Sequence, residues 1–411
     1  MHKTLKIEKM RTLEVNYFGP ISTAKIEIRK FNLFIGEQSI GKSSIAKLIT
    51  IFTDYITLWS IFMFKDKIWE KYLDSYDLTP YAKDDYRIKY TEQENNYEIN
   101  IEISHDVIQS EFFVDGNPVT EDADIFAHIV SNKPFYHNEN FEQFNNLLQQ
   151  ETNFTQTFYN LLRNSLYIPT ERIVGAQITK ILPVVNLVAK EQVSKNLLRF
   201  INELNNAKEK YTTSKFDMLH VTYKKDGEEE FIVLKNKKKL PLSNASSGIQ
   251  SALPLLLVVQ YGINERDYAS FVVEEPECNL FPQKQTELLQ FLIRQIYSQD
   301  RILTITTHSP YLLSALNNYL YAGAISKNME NEELNQLRKI IFEELWLDTE
   351  KCAIYSLGEN INNGKYCISL IDSDTGLIDF NYLDGISLIM GEEFEKLNNL
   401  YIQHQRAKRN K

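Results

Sequence analysis

Three short apolar runs along the chain stop abruptly at chemically distinctive residues. Phe31–Ile35 runs into Gly36, Tyr268–Val273 runs into Glu274 and Glu275, and Arg301–Thr306 runs into Thr307 and His308. Apolar runs of this length, bounded by such breaks, predict buried strands. Alternation of apolar and polar residues over Tyr97–Ile103 predicts a half-buried strand, and Phe112 to Asn117, with Asp115-Gly116 inside it, predicts a hairpin turn. Helical spacing follows Ser43 from Ser44 onwards, covers Val184–Leu204 as one or two helices, and returns over Leu253–Tyr261. Pro310 is suited to open a further helix over Tyr311–Leu316. The most apolar stretch, Leu48–Phe64, contains Asp54 and several hydroxyls and is marginal in length for a membrane span. It directly continues the helix expected after Ser44, so it is expected as a buried helix, with no membrane partner.

Composition adds little to this pattern but removes several classes. The 411 residues, 43% hydrophobic and 24% charged, are ordinary for a folded protein large enough to bury a sizeable core. Only 14 glycines and 11 prolines argue against long flexible linkers. A net charge of −10 argues against a surface built throughout to hold nucleic acid. Two local basic runs remain, Lys235–Lys239 and Arg406–Lys411, and most such runs are solvated turns or tails. The three cysteines, Cys278, Cys352 and Cys367, lie too far apart for a zinc ribbon and fit a reducing, cytoplasmic setting. The first residues, Met1 to Ile7, lack the apolar core of a secretory signal.

The first of the three runs carries the clearest chemistry. Gly36, Glu37, Gln38, Ser39, Ile40, Gly41, Lys42 and Ser43 match GxxxxGK[ST], between a predicted strand and a helix that begins near Ser44. The glycines let the backbone turn so that successive N–H groups face phosphate, and the helix that follows adds the positive end of its dipole. Lys42 supplies a cation for the β- and γ-phosphates, and the Ser43 hydroxyl suits Mg²⁺. ATP with Mg²⁺ is therefore the expected ligand pair. A phosphate loop alone does not separate kinase, GTPase and ATPase.

The other two runs narrow the choice. Two carboxylates at the end of a buried strand are costly unless a metal or a reacting water uses them. The C-terminal ends of strands in open α/β sheets face the ligand crevice. If the strands ending at Glu275 and His308 are parallel neighbours, both tips reach one crevice.

With Lys42, the Glu274-Glu275-Pro276-Glu277 sequence and His308 taken together, the chain resembles the ABC-like ATPases of the RecF, SMC and OLD kind. The resemblance implies an α/β P-loop NTPase head with a mixed sheet flanked by helices. Glu274 then holds the Mg²⁺ shell, Glu275 is the general base and His308 senses the γ-phosphate. Glu277–Pro282 stands where the family's loop crosses the dimer interface. Glu274 replaces the Asp of many ABC ATPases, a form familiar in the OLD branch. Ser246, Ser247 and Gly248, followed by Gln250, resemble a degenerate signature motif, with Ser247 in place of the first glycine. Alone this segment also reads as an ordinary helix N-cap. In the family it caps the nucleotide held by a second protomer, which implies a homodimer or higher even-numbered assembly.

The expected organisation is a head in two parts, residues 1–52 and 165–325, an inserted α+β region at 53–164, and a small C-terminal α+β extension at 326–411. Thr12–Pro20 and Ile26–Ile28 look like the edge hairpin of such heads, and Leu166–Arg172 re-enters the head. Arg172 stands where related ATPases often carry an arginine. Asp372 and Asp374 form a DxD that reads as a turn rather than a nuclease motif. Heads of this EEPE type without a nuclease domain look like the ATPase components of anti-phage systems such as PARIS, Septu or retron-linked modules, acting with a separate effector such as a nuclease. A RecF-like repair ATPase is the alternative and leaves DNA open as a partner. A transporter's cytosolic subunit fits the large insertion and degenerate signature poorly, and a non-hydrolysing scaffold fits the pairing of Glu275 with His308 poorly.

Overall fold

The computed structural model describes residues 10–64, 66–83, 85–94, 97–105, 107–119, 164–174, 193–227, 229–360, 365–379, 390–399 and 401–402. Part of the expected Val184–Leu204 helix and the basic run Arg406–Lys411 lie outside the described residues.

Sixteen strands are described. In chain order, β1 is Met10–Phe18, β2 Ile21–Glu27, β3 Phe31–Gly36, β4 Arg87–Glu94, β5 Tyr97–Ser104, β6 Ile108–Val114, β7 Asn117–Pro118 and β8 Ser165–Ile168. They continue with β9 Thr213–Phe216, β10 Val221–Asp226, β11 Glu229–Leu234, β12 Lys239–Pro241, β13 Ser270–Glu274, β14 Ile302–Thr306, β15 Cys352–Asn360 and β16 Lys365–Ser369. The helices used below are α1 Lys42–Phe52, α2 Tyr55–Phe64, α3 Asp66–Ser75, α4 Lys195–Lys210, α5 Ser247–Asn264, α6 Pro282–Gln295 and α7 Pro310–Ser326.

The central sheet has the order β16-β15-β3-β14-β13-β8. Its five strands from β15 to β8 are parallel, and β16 closes one edge antiparallel. Alternation along these strands feeds two cores. On β3, Phe31, Leu33 and Ile35 enter one core with α4–α7, while Phe34 enters the other with α1–α3. On β13, Phe271 and Val273 face the first and Val272 the second. A sheet covered on both faces reads as nearly unbroken apolar runs, which explains why β3, β13 and β14 stand out in the sequence.

The second core is closed by an antiparallel sheet, β2-β1-β4-β5-β6-β7. Strands from 10–27 and from 87–118 thus share one sheet, and strands from 352–369 join the sheet that carries the phosphate loop. The turn after β6 has Asp115 and Gly116 both at positive φ, the type I′ geometry that matches hairpin twist. A third sheet, β12-β11-β10-β9, packs with the first core, and the basic run Lys235–Lys239 forms its exposed hairpin turn and the first residue of β12.

One expectation needs correction. Leu48–Phe64 is not one helix: α1 and α2 are bent by 75° at Thr53-Asp54. The Thr53 hydroxyl donates to Ile49 O (2.7 Å) and meets Ser270 Oγ (3.0 Å) and Ser165 Oγ (3.2 Å), so the end of α1 is fixed to β13 and β8. Asp54 Oδ1 accepts from the N–H groups of Ile56 and Thr57, both at 3.1 Å, and so caps α2. Among the described residues no single helix is long and apolar enough to cross a membrane.

Candidate active site

Because β3, β14 and β13 are parallel neighbours, their C-terminal ends deliver the phosphate loop, His308 and Glu274-Glu275 to one edge of the sheet. Two backbone bonds hold the ends level: Glu275 N donates to Thr306 O (2.9 Å), and Thr307 N to Phe34 O (3.0 Å).

In the phosphate loop, Glu37, Gln38 and Ser39 are exposed and Ile40 is half-buried. Gly41 precedes α1 at φ 100°, a conformation that favours glycine. Lys42 is buried, and its ammonium donates to Gly36 O (2.8 Å) and Glu37 O (2.9 Å) while meeting His308 Nε2 at 2.9 Å. Burial lowers the pKa of this ammonium, opposed by the charges of Glu275, Glu274 and Glu277. Ser43 is exposed at the mouth and Ser44 is buried beneath it.

Glu275 departs from the strand at φ 40° and brings its carboxylate within 3.4 Å of His308 Nε2. Burial, with the charge and hydrogen bond of Glu277 next, pushes the Glu275 carboxyl up to about 8, against the pull of Lys42. Burial and Lys42 push His308 down, so near neutral pH the 3.4 Å approach joins a neutral imidazole to the carboxyl group. Glu274 is buried and its Oε1 has no hydrogen-bond partner among the described residues. Burial, with Glu274 next, holds the Tyr167 phenol on β8 well above its ordinary range.

Two further residues build this edge. Arg172 is fully buried just after β8 and donates to Glu274 O (2.6 Å), Glu275 O (2.6 Å) and Pro169 O (3.2 Å). It therefore ties down the backbone on which both carboxylates ride. Glu277 Oε1 accepts from the Thr307 hydroxyl and from His308 N (2.9 Å), which fixes the tip of β14 from the β13 side. The positions of both residues were visible in the sequence. Their partners, mostly backbone atoms of other strands, leave no spacing signal.

Ser246 and Ser247 stand exposed at the start of α5. A Cβ on Gly248 would come 2.9 Å from Asn279 O and 3.4 Å from Leu280, so this segment lies against the Glu277–Pro282 loop. Gln250 faces inwards: its amide donates to Ser243 O and Ala245 O, both at 2.9 Å, and holds the turn before α5. Asp372 likewise turns on its own loop, accepting from Thr375 N (2.7 Å).

A parallel sheet that carries a phosphate loop, a carboxylate pair and a histidine on adjacent strand ends has the architecture of a P-loop NTPase. The chain belongs to the family described as the AAA ATPase domain, whose model matches residues 86–313. That range holds Ser246, Glu274, Glu275 and His308, and the phosphate loop precedes it. Among solved structures the chain is similar to the SMC head domain from Thermotoga maritima, at 15% identity and TM-score 0.37, covering 74% of this chain and 91% of that one. It is also similar to the Smc head domain with a coiled coil and joint derived from Pyrococcus yayanosii, at 11% identity and TM-score 0.39, covering 89% of this chain and 98% of that one. No curated protein matches it.

Proposed function

We propose that the chain hydrolyses ATP and that its active site is completed when two copies pair head to head. The convergence of Lys42, Glu275 and His308 at three adjacent strand ends carries this reading. On ATP binding, Lys42 exchanges the carbonyls of Gly36 and Glu37 for phosphate oxygens and releases His308 to face the γ-phosphate. Glu275 in its carboxylate form accepts the proton of the attacking water; in the nucleotide-free site, where burial and Glu277 raise the carboxyl to about 8, that is the minor form at neutral pH.

Ser43 and Glu274 would hold Mg²⁺: an exposed hydroxyl and a carboxylate with one unpartnered oxygen form the oxygen donor set this ion takes. When bound, Mg²⁺ neutralises charge on the phosphates.

Pairing is supported by the surface beside the site. Ser246, Ser247 and the start of α5 form an exposed anion cap, and Phe281 on the adjoining loop is 74% exposed. In a homodimer these groups would close over the nucleotide of the second copy. The EEPE sequence supports a narrower role, the cytoplasmic ATPase subunit of an anti-phage defence system that acts through a separate nuclease.

The test is steady-state turnover of wild type and Glu275→Gln. Wild type is expected to hydrolyse MgATP, and Glu275→Gln to bind it with turnover reduced about 10²-fold or more. Equal turnover of the two proteins would remove Glu275 from its role. Turnover stimulated by DNA would favour the RecF-like alternative over the defence role.

A further inference from the structure

The phosphate loop is braced from below by β15 and β16, and Tyr366 on β16 is separated from Ile40 by 326 residues of chain. Ile40 turns its side chain beneath the loop into a space that exists because two glycines lack a Cβ. A Cβ on Gly358 would overlap Cγ1 and Cδ1 of Ile40, and one on Gly36 would stand 3.0 Å from its Cγ2. Gly358 also has φ +80°, a conformation that side chains rarely adopt. The Tyr366 hydroxyl donates to the carbonyl of Ile40. Tyr366 is buried, and burial raises its phenol well above the usual range, so the donor keeps its proton.

The next residue is held from two sides. A Cβ on Gly41 would lie 2.8 Å from Ile21 Cγ1 and 3.2 Å from Pro20 Cγ, at the turn into β2, and 3.1 Å from the Tyr366 hydroxyl. The strand pair is itself anchored: β15 runs parallel to β3 along its length, and Glu27 N on β2 donates to the Tyr355 hydroxyl (2.9 Å).

These contacts bear on the loop's binding groups. In a trans peptide C=O and N–H point in opposite directions. With the Ile40 carbonyl drawn towards Tyr366, the N–H of Gly41 points away from β16 and is left free of that strand. A glycine-bearing loop that had to be ordered by its ligand would spend binding energy on that ordering, and a preformed one does not.

We propose that β15–β16 is a positioning element for the nucleotide, and that Tyr366 and Gly358 are positioning residues that hold the phosphate loop in its binding shape before ATP arrives. The proposal rests on the reading that this loop binds MgATP.

Tyr366→Phe keeps the ring and removes only the donor. Its Kd and KM for MgATP should rise about fivefold, the equivalent of one hydrogen bond. Its kcat at saturating ATP should stay within about twofold of wild type, because the loop reaches the same shape once ATP is bound. Gly358→Ala should weaken MgATP binding more strongly, and the Gly358→Ala/Ile40→Ala double variant should recover part of that loss, because the methyl then enters vacated space. A purely structural role would instead lower thermal stability with Kd unchanged. Wild-type affinity in Tyr366→Phe, or a double variant that binds no better than Gly358→Ala, would overturn the proposal. Wild type that binds no MgATP in the same titration would overturn the nucleotide reading itself and the proposal with it.

Discussion

Glu275 shows how the site trades stability for chemistry. Its carboxyl is mostly buried beside Glu277, and the protein holds its proton up to about pH 8, against a reference value of 4.5. The unfolded chain loses that proton near the reference value, so between the two pH values folding takes up a proton. Stability therefore falls as pH rises through this window, and the cost is complete above pH 8. Glu275→Gln removes the titrating group. Its nucleotide-free form should be more stable than wild type by about 1 kcal/mol or more at about pH 8.5, with a smaller gap at about pH 6. Thermal melts at the two pH values check this, and a gap that does not grow with pH would contradict the assignment.

That Lys42, Glu275 and His308 reach one edge was legible in the sequence, because each stands where an apolar run breaks. The contacts that make Arg172, Glu277 and Tyr366 parts of the site were not legible. Their principal partners are Glu274 O and Glu275 O, the tip of β14, and Ile40 O, all supplied by elements distant in sequence.

At the scale of elements, the buried parallel strands were the most legible feature, and the helix after the phosphate loop was misread in one respect. The apolar residues of Leu48–Phe64 carry no phase that marks a bend, whereas Thr53 and Asp54 among them do. Asp54 marks it by capping α2. Asp54→Ala should cost about 1 kcal/mol, and Asp54→Asn clearly less, because asparagine also caps. Chemical denaturation of the three proteins checks this, and equal losses would show that the cap is not what Asp54 contributes. The strand pair β15–β16 was missed for another reason. Cys352–Asn360 pairs with β3 only through a parallel ladder to residues more than 300 positions earlier, and local sequence does not encode such a neighbour.

At the scale of the molecule, one central sheet separates two cores, and the phosphate loop, Glu274-Glu275 and His308 all lie at the C-terminal edge of that sheet. The signature-like segment Ser246–Gly248 packs on the Glu277–Pro282 loop and presents its hydroxyls outwards, the arrangement expected of a cap that serves a second copy. If so, each site takes Lys42 from one chain and Ser246 from the other, and the two defects can be placed on different chains. Lys42→Ala and Ser246→Arg should each abolish turnover alone. Mixed in equal amounts, they form heterodimers with one intact composite site, and turnover should return to as much as about a quarter of wild type. Turnover that stays at zero on mixing, while both variants still pair, would contradict the two-copy site.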